Sequence, residues 1–250
     1  METLQLRGGV IIIGSLLWDD DLKRSNWRES CLRTKDKILA ELPIRYGRWS
    51  DKRRTYTMVF SANCKRASQI GAGFVIPIKA HPIKDIQVLI CQARMMAEAE
   101  GMGESFVGRT KKGVNWVNWA LMGILLNPKL TRETRTTALA GWATVFKADG
   151  GPQEASSYKI GQERSSISKV GELLIRWPRA ADPRKQRKID EIDFLIATCT
   201  KPGRESSEAY PSLTEIAESA RCDCTRYFLN NRKFGIKTFQ DTRVVERLSS

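Results

Sequence analysis

The chain has 250 residues, 41% hydrophobic and 28% charged, and its 42 lysines and arginines against 28 acidic residues give a net charge of +14. This length is enough to bury a large core, and no apolar run approaches the roughly 20 residues that cross a bilayer. We therefore expect a cytoplasmic protein without a membrane segment. Six scattered cysteines and a single histidine, His81, argue against a Cys/His metal site and against histidine-based catalysis.

The positive charge indicates an anionic partner or substrate. Lysines and arginines concentrate in residues 23–54, 176–188 and 226–247, with acidic residues between them. No helix-turn-helix, zinc finger or aromatic RNA-binding signature accompanies these clusters. The sequence therefore predicts at most weak, sequence-independent nucleic-acid binding, and a solvated basic face is the alternative.

A buried strand opens the recognisable part of the chain. The four β-branched residues 10–13 favour extended backbone, and Gly14 allows a tight turn directly after them. Successive amides in such a turn can converge on a carboxylate or on an oxygen that gains charge during a reaction. The loop is a candidate anion site, although an ordinary exit from a strand has the same residues.

The next segments predict a short helix within residues 19–30 and three further strands. Residues 42–49 and 54–61 mix aromatic and β-branched residues around a polar turn, as expected for a hairpin. Residues 71–78 form another strand pattern, and two glycines in it suggest close approach of a neighbouring backbone.

Residues 83–99 change to a helical period, and Gly101 is placed to end the helix. Glu98 and Glu100 stand at its C-terminus, where the helix dipole disfavours anions. One of these carboxylates could therefore be unusually basic, whereas two exposed glutamates are the alternative.

The sequence pattern of the second half of the chain changes from helical segments to a loop and then back to strands. Residues 114–126 and 132–146 show helical patterns, and residues 148–168 are rich in loop-forming side chains. Strand patterns return at 171–177 and 192–199. A further helix begins at the Ser212–Glu215 capping box and extends to about residue 230.

Two of these features, in this order, resemble the γ-glutamylcyclotransferase family. Members carry a Tyr-Gly-Ser-Leu or Tyr-Gly-Ser-Asn loop after the first strand, and a catalytic glutamate that some members place in a Glu-x-Glu-Gly context. Here residues 13–18 read Ile-Gly-Ser-Leu-Leu-Trp, and residues 98–101 read Glu-Ala-Glu-Gly. The chain departs from the family at Ile13, which replaces the tyrosine and removes a hydroxyl from the expected substrate site.

The resemblance covers residues 9–101 and, more loosely, 171–230. It implies a single α/β (α+β) domain over residues 1–250, with a mixed, barrel-like sheet and flanking helices. Residues 103–170 have no counterpart in the family, and their patterns predict a mostly helical insertion.

The resemblance also implies an activity. The α-amine of a γ-glutamyl group would attack its own γ-carbonyl and release 5-oxoproline and an amine or peptide, glutathione being the first substrate to test. Glu100 would be the general base, and no metal or cofactor would be needed. The substrate would be held by the loop residues Ile13, Gly14, Ser15 and Leu16. Separately, Arg48 on the predicted hairpin, like Arg45 and Arg54, could supply positive charge for an anionic substrate, with a surface arginine as the alternative.

A competing hypothesis keeps the fold and changes the function. Ile13 would then mark an altered activity, and the basic surface would bind nucleic acid, a nucleotide or an acidic protein partner. Because phosphate contacts release counterions, steeply salt-dependent affinity would favour this hypothesis.

Overall fold

A computed structural model describes residues 5–112, 114–203 and 209–249. Within these residues the chain is a mixed α/β protein with eight strands and eight α-helices. In chain order the elements are β1 (Gly8–Ile12), α1 (Leu22–Cys31), β2 (Ile38–Leu42), β3 (Ile44–Ser50), β4 (Thr55–Phe60), β5 (Gly71–Pro77), α2 (Ile86–Glu100), β6 (Val107–Lys112), β7 (Asn115–Leu126), α3 (Arg132–Ala148), α4 (Gly151–Ala155), α5 (Pro183–Asp190), β8 (Phe194–Thr200), α6 (Leu213–Cys222), α7 (Tyr227–Lys233) and α8 (Asp241–Ser249).

Six strands form one mixed sheet in the order β2-β5-β1-β8-β7-β6. The pairing of β1 with β8 is parallel, and the other pairings are antiparallel. All five residues of β1 are buried, because the strand lies between two neighbours near the middle of the sheet. The run of β-branched residues in the sequence therefore forms the centre of the core.

The β3–β4 hairpin joins the sheet at both of its ends. β3 follows β2 directly after Pro43. At its other end, the Trp49 amide donates to the Gly203 carbonyl at 3.2 Å, and the Gly203 amide donates to the Gly47 carbonyl at 2.6 Å. The hairpin is a separate two-stranded sheet, which the chain joins to β2 at one end and which hydrogen bonds join to the residues after β8 at the other.

Several sequence predictions are confirmed. The first strand, the hairpin and the strand at 71–78 are present as β1, β3–β4 and β5, and the helical period at 83–99 is α2. Gly101 ends α2 with φ of 84°, in the left-handed region that glycine enters without strain. The Ser212–Glu215 capping box is also formed, although the helix it opens, α6, ends at Cys222.

The helix predicted for residues 114–126 is wrong. These residues form β7, which pairs with β8 from Ala120 to Leu126. All seven of these residues are buried, and a continuous apolar run of this length fits a buried strand as well as a helix. The predicted helical insertion at 103–170 therefore contributes two strands, β6 and β7, to the main sheet in addition to α3 and α4.

The strand predicted for residues 171–177 is also wrong. Glu172 and Leu173 make only isolated bridges, to Ile124 and Ile167, and the segment lies outside the named strands. The loop predicted for 148–168 contains the short helix α4. Among the described residues, no helix is long and apolar enough to span a membrane.

Gly73 on β5 packs closely against the backbone of β1 and against Leu42. A Cβ atom there would lie 2.8 Å from the Ile12 carbonyl oxygen and 2.8 Å from Leu42 Cδ1. A backbone oxygen cannot yield as a flexible side chain can. Gly73→Ala should therefore lower the free energy of unfolding by about 1–3 kcal/mol in urea denaturation. Ser68→Ala, at an exposed position, is the control and should change it by less than about 0.5 kcal/mol.

Candidate functional site

The loop after β1 folds into a 3-10 turn at Ser15–Leu17. The amides of Leu17 and Trp18 donate to the carbonyls of Gly14 and Ser15, both at 3.1 Å. Ser15 and Leu16 begin the turn, and amides at the start of a helical turn have no acceptor within it. The turn therefore offers two backbone donors directly after the central strand.

Gly14 makes room for a tyrosine from the far end of the chain. A Cβ atom at Gly14 would lie 2.8 Å from the hydroxyl oxygen of Tyr227 in α7. The same oxygen accepts a hydrogen bond from the Met58 amide at 3.2 Å. The glycine of the loop thus permits close packing of the β1 loop, β4 and α7.

Glu98 and Glu100 have different surroundings at the end of α2. The Glu98 side chain is 55% exposed and pairs with Lys23 at 3.6 Å. The Glu100 side chain is only 18% exposed, and its Oε2 lies 3.6 Å from Nη2 of Arg24. Residues two apart on a helix point to nearly opposite sides, so only Glu100 faces the β1 loop.

Arg24, on α1, connects this glutamate to the loop. Its Nη1 donates to the Ser15 hydroxyl at 3.3 Å, and its Nε donates to the Ala99 carbonyl at 3.3 Å. The guanidinium therefore contacts both the loop after β1 and the last turn of α2. The sequence separates these two features by more than 80 residues, and the fold brings them to one arginine.

Asp19 holds two arginines in place beside the loop. Its carboxylate accepts hydrogen bonds from Arg24 and from Nη2 of Arg53, the latter at 2.9 Å. The guanidinium of Arg53 also lies 5.6 Å from the ring centre of Trp18 and 5.7 Å from that of Tyr227. Because the three charged side chains are at most 27% exposed, they form a partly buried network.

Arg48, on β3, is a further cation of this region. Its guanidinium lies 4.9 Å from the ring centre of Trp119 in β7. Burial lowers the pKa of Arg48, and the negative charge of Glu100 opposes that effect. Among the described residues no carboxylate lies within 4 Å of the Arg48 guanidinium, so its charge is available to an anionic ligand.

The pKa of the Glu100 carboxyl is raised above its ordinary value. Burial raises it, and the charge of Arg24, the Thr198 hydroxyl on β8 and the charges of Arg48 and Arg53 only partly offset that increase. A carboxylate that is more basic than usual can accept a proton from an amine. The Arg48 guanidinium, which has no carboxylate partner among the described residues, can hold an anion near it.

The structure brings most of the predicted site residues together. Gly14, Ser15 and Glu100 meet at Arg24 and Tyr227, and Arg48 lies within the electrostatic reach of Glu100. The side chains of two other predicted residues, both apolar, pack against other parts of the structure. Leu16 is buried in the core, and Ile13 packs toward Gly73 on β5.

Four residues of the site were not found by sequence reasoning. Arg24, Asp19, Arg53 and Tyr227 come from a helix, two loops and a C-terminal helix. No short motif joins them. The only signal was the concentration of lysine and arginine in residues 23–54, which includes three arginines of the site but does not distinguish them from surface cations.

An open cavity of about 260 Å³ lies at the opposite end of β1, beside Gly8. Its lining mixes cations such as Arg33 and Lys188 with carboxylates such as Asp36. A strand of five residues spans about 17 Å, so this cavity lies well away from the loop at Gly14. It takes no part in the chemistry of Glu100.

Comparison with known proteins gives no relative: no protein-family model, no curated protein and no solved structure matches the chain. The fold and the site define a mixed α/β protein with a buried glutamate among arginines.

The Asp19 network predicts a pH-dependent contribution to stability. Burial raises the pKa of Asp19, but the hydrogen bond from Arg53 and the charges of Arg24 and Arg53 bring the net pKa below its ordinary value. A carboxylate with a lowered folded-state pKa stabilises the protein above its unfolded pKa, and this contribution is lost as pH falls through the folded-state pKa.

Asp19→Asn should therefore lower the free energy of unfolding by about 1–2 kcal/mol at neutral pH, with a smaller difference below about pH 4. Urea denaturation of both proteins at the two pH values measures this. A difference that is the same at both values would contradict an ionised Asp19 as the anchor of the two arginines.

Proposed function

We propose that this chain is a γ-glutamylcyclotransferase-like enzyme that closes a γ-glutamyl group to 5-oxoproline and releases an amine or peptide. One observation carries the proposal. Arg24 contacts both Ser15 of the Gly-Ser-Leu loop and the buried Glu100, so the two sequence features that resemble the family meet at one place. The mixed six-stranded sheet, with the β3–β4 hairpin held against the residues after β8, further supports the proposal of a barrel-like core.

The proposed reaction begins with a proton transfer. Glu100 takes a proton from the α-ammonium of the γ-glutamyl group, since an amine attacks a carbonyl only when its lone pair is free. The raised pKa of Glu100 suits this role, because a stronger base takes that proton more readily. The neutral amine then forms a bond to the γ-carbonyl carbon.

The next step needs donors for the developing oxyanion. The amides of Ser15 and Leu16 at the start of the turn are the proposed donors, and they require no side chain to move. The bond between the carbonyl carbon and the leaving nitrogen then breaks. The carboxylic acid of Glu100 returns its proton to that nitrogen, and the ring nitrogen gives up its second proton to the released amine. The products are 5-oxoproline, an ammonium group on the released amine or peptide, and an ionised Glu100.

A γ-glutamyl substrate also carries an α-carboxylate, which needs a cation. Arg48 fits this role, because its guanidinium is charged, largely buried and has no carboxylate within 4 Å among the described residues. Arg24 and Arg53 are already bound to Asp19. We therefore assign the substrate carboxylate to Arg48 and the preorganisation of the loop to the Asp19 network.

The proposal predicts turnover that depends on Glu100 and not on its neighbour. Purified protein should release 5-oxoproline from a γ-glutamyl compound, measured by chromatography across a panel that begins with glutathione. Glu100→Gln should lose at least about 10²-fold in rate, as expected when a general base is removed. Glu98→Gln is the matched control, because it makes the same change two residues away on an exposed side chain.

Both variants must fold for this comparison, which thermal unfolding monitored by circular dichroism establishes. Equal loss of rate in the two variants, or no turnover of any γ-glutamyl compound by folded wild-type protein, would reject the enzyme hypothesis. The cyclotransferase fold with a binding function would then be the stronger candidate.

A further inference from the structure

The outer end of the β6–β7 hairpin differs from the rest of the sheet. Residues 109–112 and 114–117, which we call the arm, are all exposed, whereas β7 is buried from Ala120 to its end. The arm carries large apolar side chains into solvent: Trp116 is 67% exposed and Val114 is 90% exposed. Exposed apolar groups on a projecting element mark an interaction site more often than they serve stability.

The pairing register places an aromatic ring beside a cation on the arm. Lys111 on β6 lies directly opposite Trp116 on β7, and Thr110 lies opposite Val117. Side chains of directly opposed residues emerge on the same face of a two-stranded ribbon, with Cβ atoms about 5 Å apart. One face of the arm therefore presents an indole and an ammonium side by side.

The ionisable side chains of the arm are all positive. They are Arg109, Lys111 and Lys112, and the described residues of the arm include no aspartate or glutamate. Lys112 pairs with Asp51 at 2.9 Å, and Arg109 donates to the Asp149 carbonyl at 2.9 Å. Among the described residues, no carboxylate lies within 4 Å of the Lys111 ammonium.

The charge and the exposed indole of the arm indicate which kind of partner it binds. A second copy of this chain is disfavoured, because each copy carries a net charge of +14 and the arm is itself cationic. A polyanion with flat apolar groups fits both the lysines and the indole. An unpaired nucleic-acid strand has this chemistry, because its bases stack on aromatic rings and its phosphates pair with cations.

We propose that the arm binds single-stranded nucleic acid, with Trp116 stacked on an unpaired base and Lys111 on a neighbouring phosphate. The arm contains none of the residues assigned to the Glu100 site, so the proposal adds a function to the proposed enzyme and does not depend on that activity. The sequence predicted a helix at 114–126 and at most weak, sequence-independent nucleic-acid binding, whereas the hairpin carries an exposed indole that can stack on a base.

The test is fluorescence anisotropy with labelled oligonucleotides of about 12 nucleotides and mixed sequence. Three probes are compared: single-stranded RNA, single-stranded DNA, and the same DNA annealed to its complement. Wild-type protein should bind at least one single strand more tightly than the duplex. Trp116→Ala should weaken that binding about tenfold, and Trp116→Phe, which keeps a stacking ring, should restore most of it.

Charge is tested separately by salt dependence. Lys111→Glu should weaken binding and reduce the slope of log affinity against log salt by about 0.7, the value expected for one phosphate contact on a single strand. Lys35→Glu makes the same charge change at an exposed position on another element. It should weaken binding less than Lys111→Glu does, and it should leave the slope of log affinity against log salt at the wild-type value. Circular dichroism confirms that all variants fold, as expected for exposed positions.

Several results would overturn the proposal. The wild-type protein could bind the duplex as tightly as the single strands, or it could bind none of the probes. Alternatively, neither Trp116→Ala nor Lys111→Glu could change the affinity. A wild-type dimer in sedimentation velocity that Trp116→Ala dissociates would instead assign the arm to a second copy of the chain.

Discussion

The contact between Arg24 and Glu100 is the interaction on which the proposed site depends. Removing a carboxylate from water costs several kcal/mol unless a partner compensates. Arg24 supplies that partner while its other nitrogens bind Ser15 and the Ala99 carbonyl. The same guanidinium therefore fixes the loop after β1 against the end of α2, and α1 must pack beside both for the contact to form.

The pKa of the Glu100 carboxyl results from opposing effects. Three arginines and the Thr198 hydroxyl favour the ionised carboxylate, yet burial outweighs them and the pKa rises. Asp19 explains part of this balance, because its carboxylate engages Arg24 and Arg53 and so neutralises charge that would otherwise act on Glu100. The result is a carboxyl group that is more basic than usual, which favours proton transfer from an amine.

The sequence predicted the elements whose patterns are local. The β-branched strand β1, the helical period of α2 and its end at Gly101 follow from propensity and spacing alone. β7 was mistaken for a helix because its inner half is buried continuously, so its side chains do not alternate between apolar and polar. Its true state depends on pairing with β8, a partner about 75 residues later in the chain.

Of the proposed site, only the motif residues and Arg48 could be named from the sequence. Glu100 and the loop at Gly14 could be named because a family resemblance joined them, whereas Arg24, Arg53 and Tyr227 reach them only through tertiary packing.

The most direct test is the pKa of Glu100, measured by NMR titration of ¹³C-labelled glutamate and assigned with Glu100→Gln. We predict a titration midpoint above the ordinary value of 4.5. We also predict that the Glu100 resonance shifts when 5-oxoproline is added. A midpoint at or below that value, with no response to 5-oxoproline, would contradict Glu100 as the base of a cyclotransferase site.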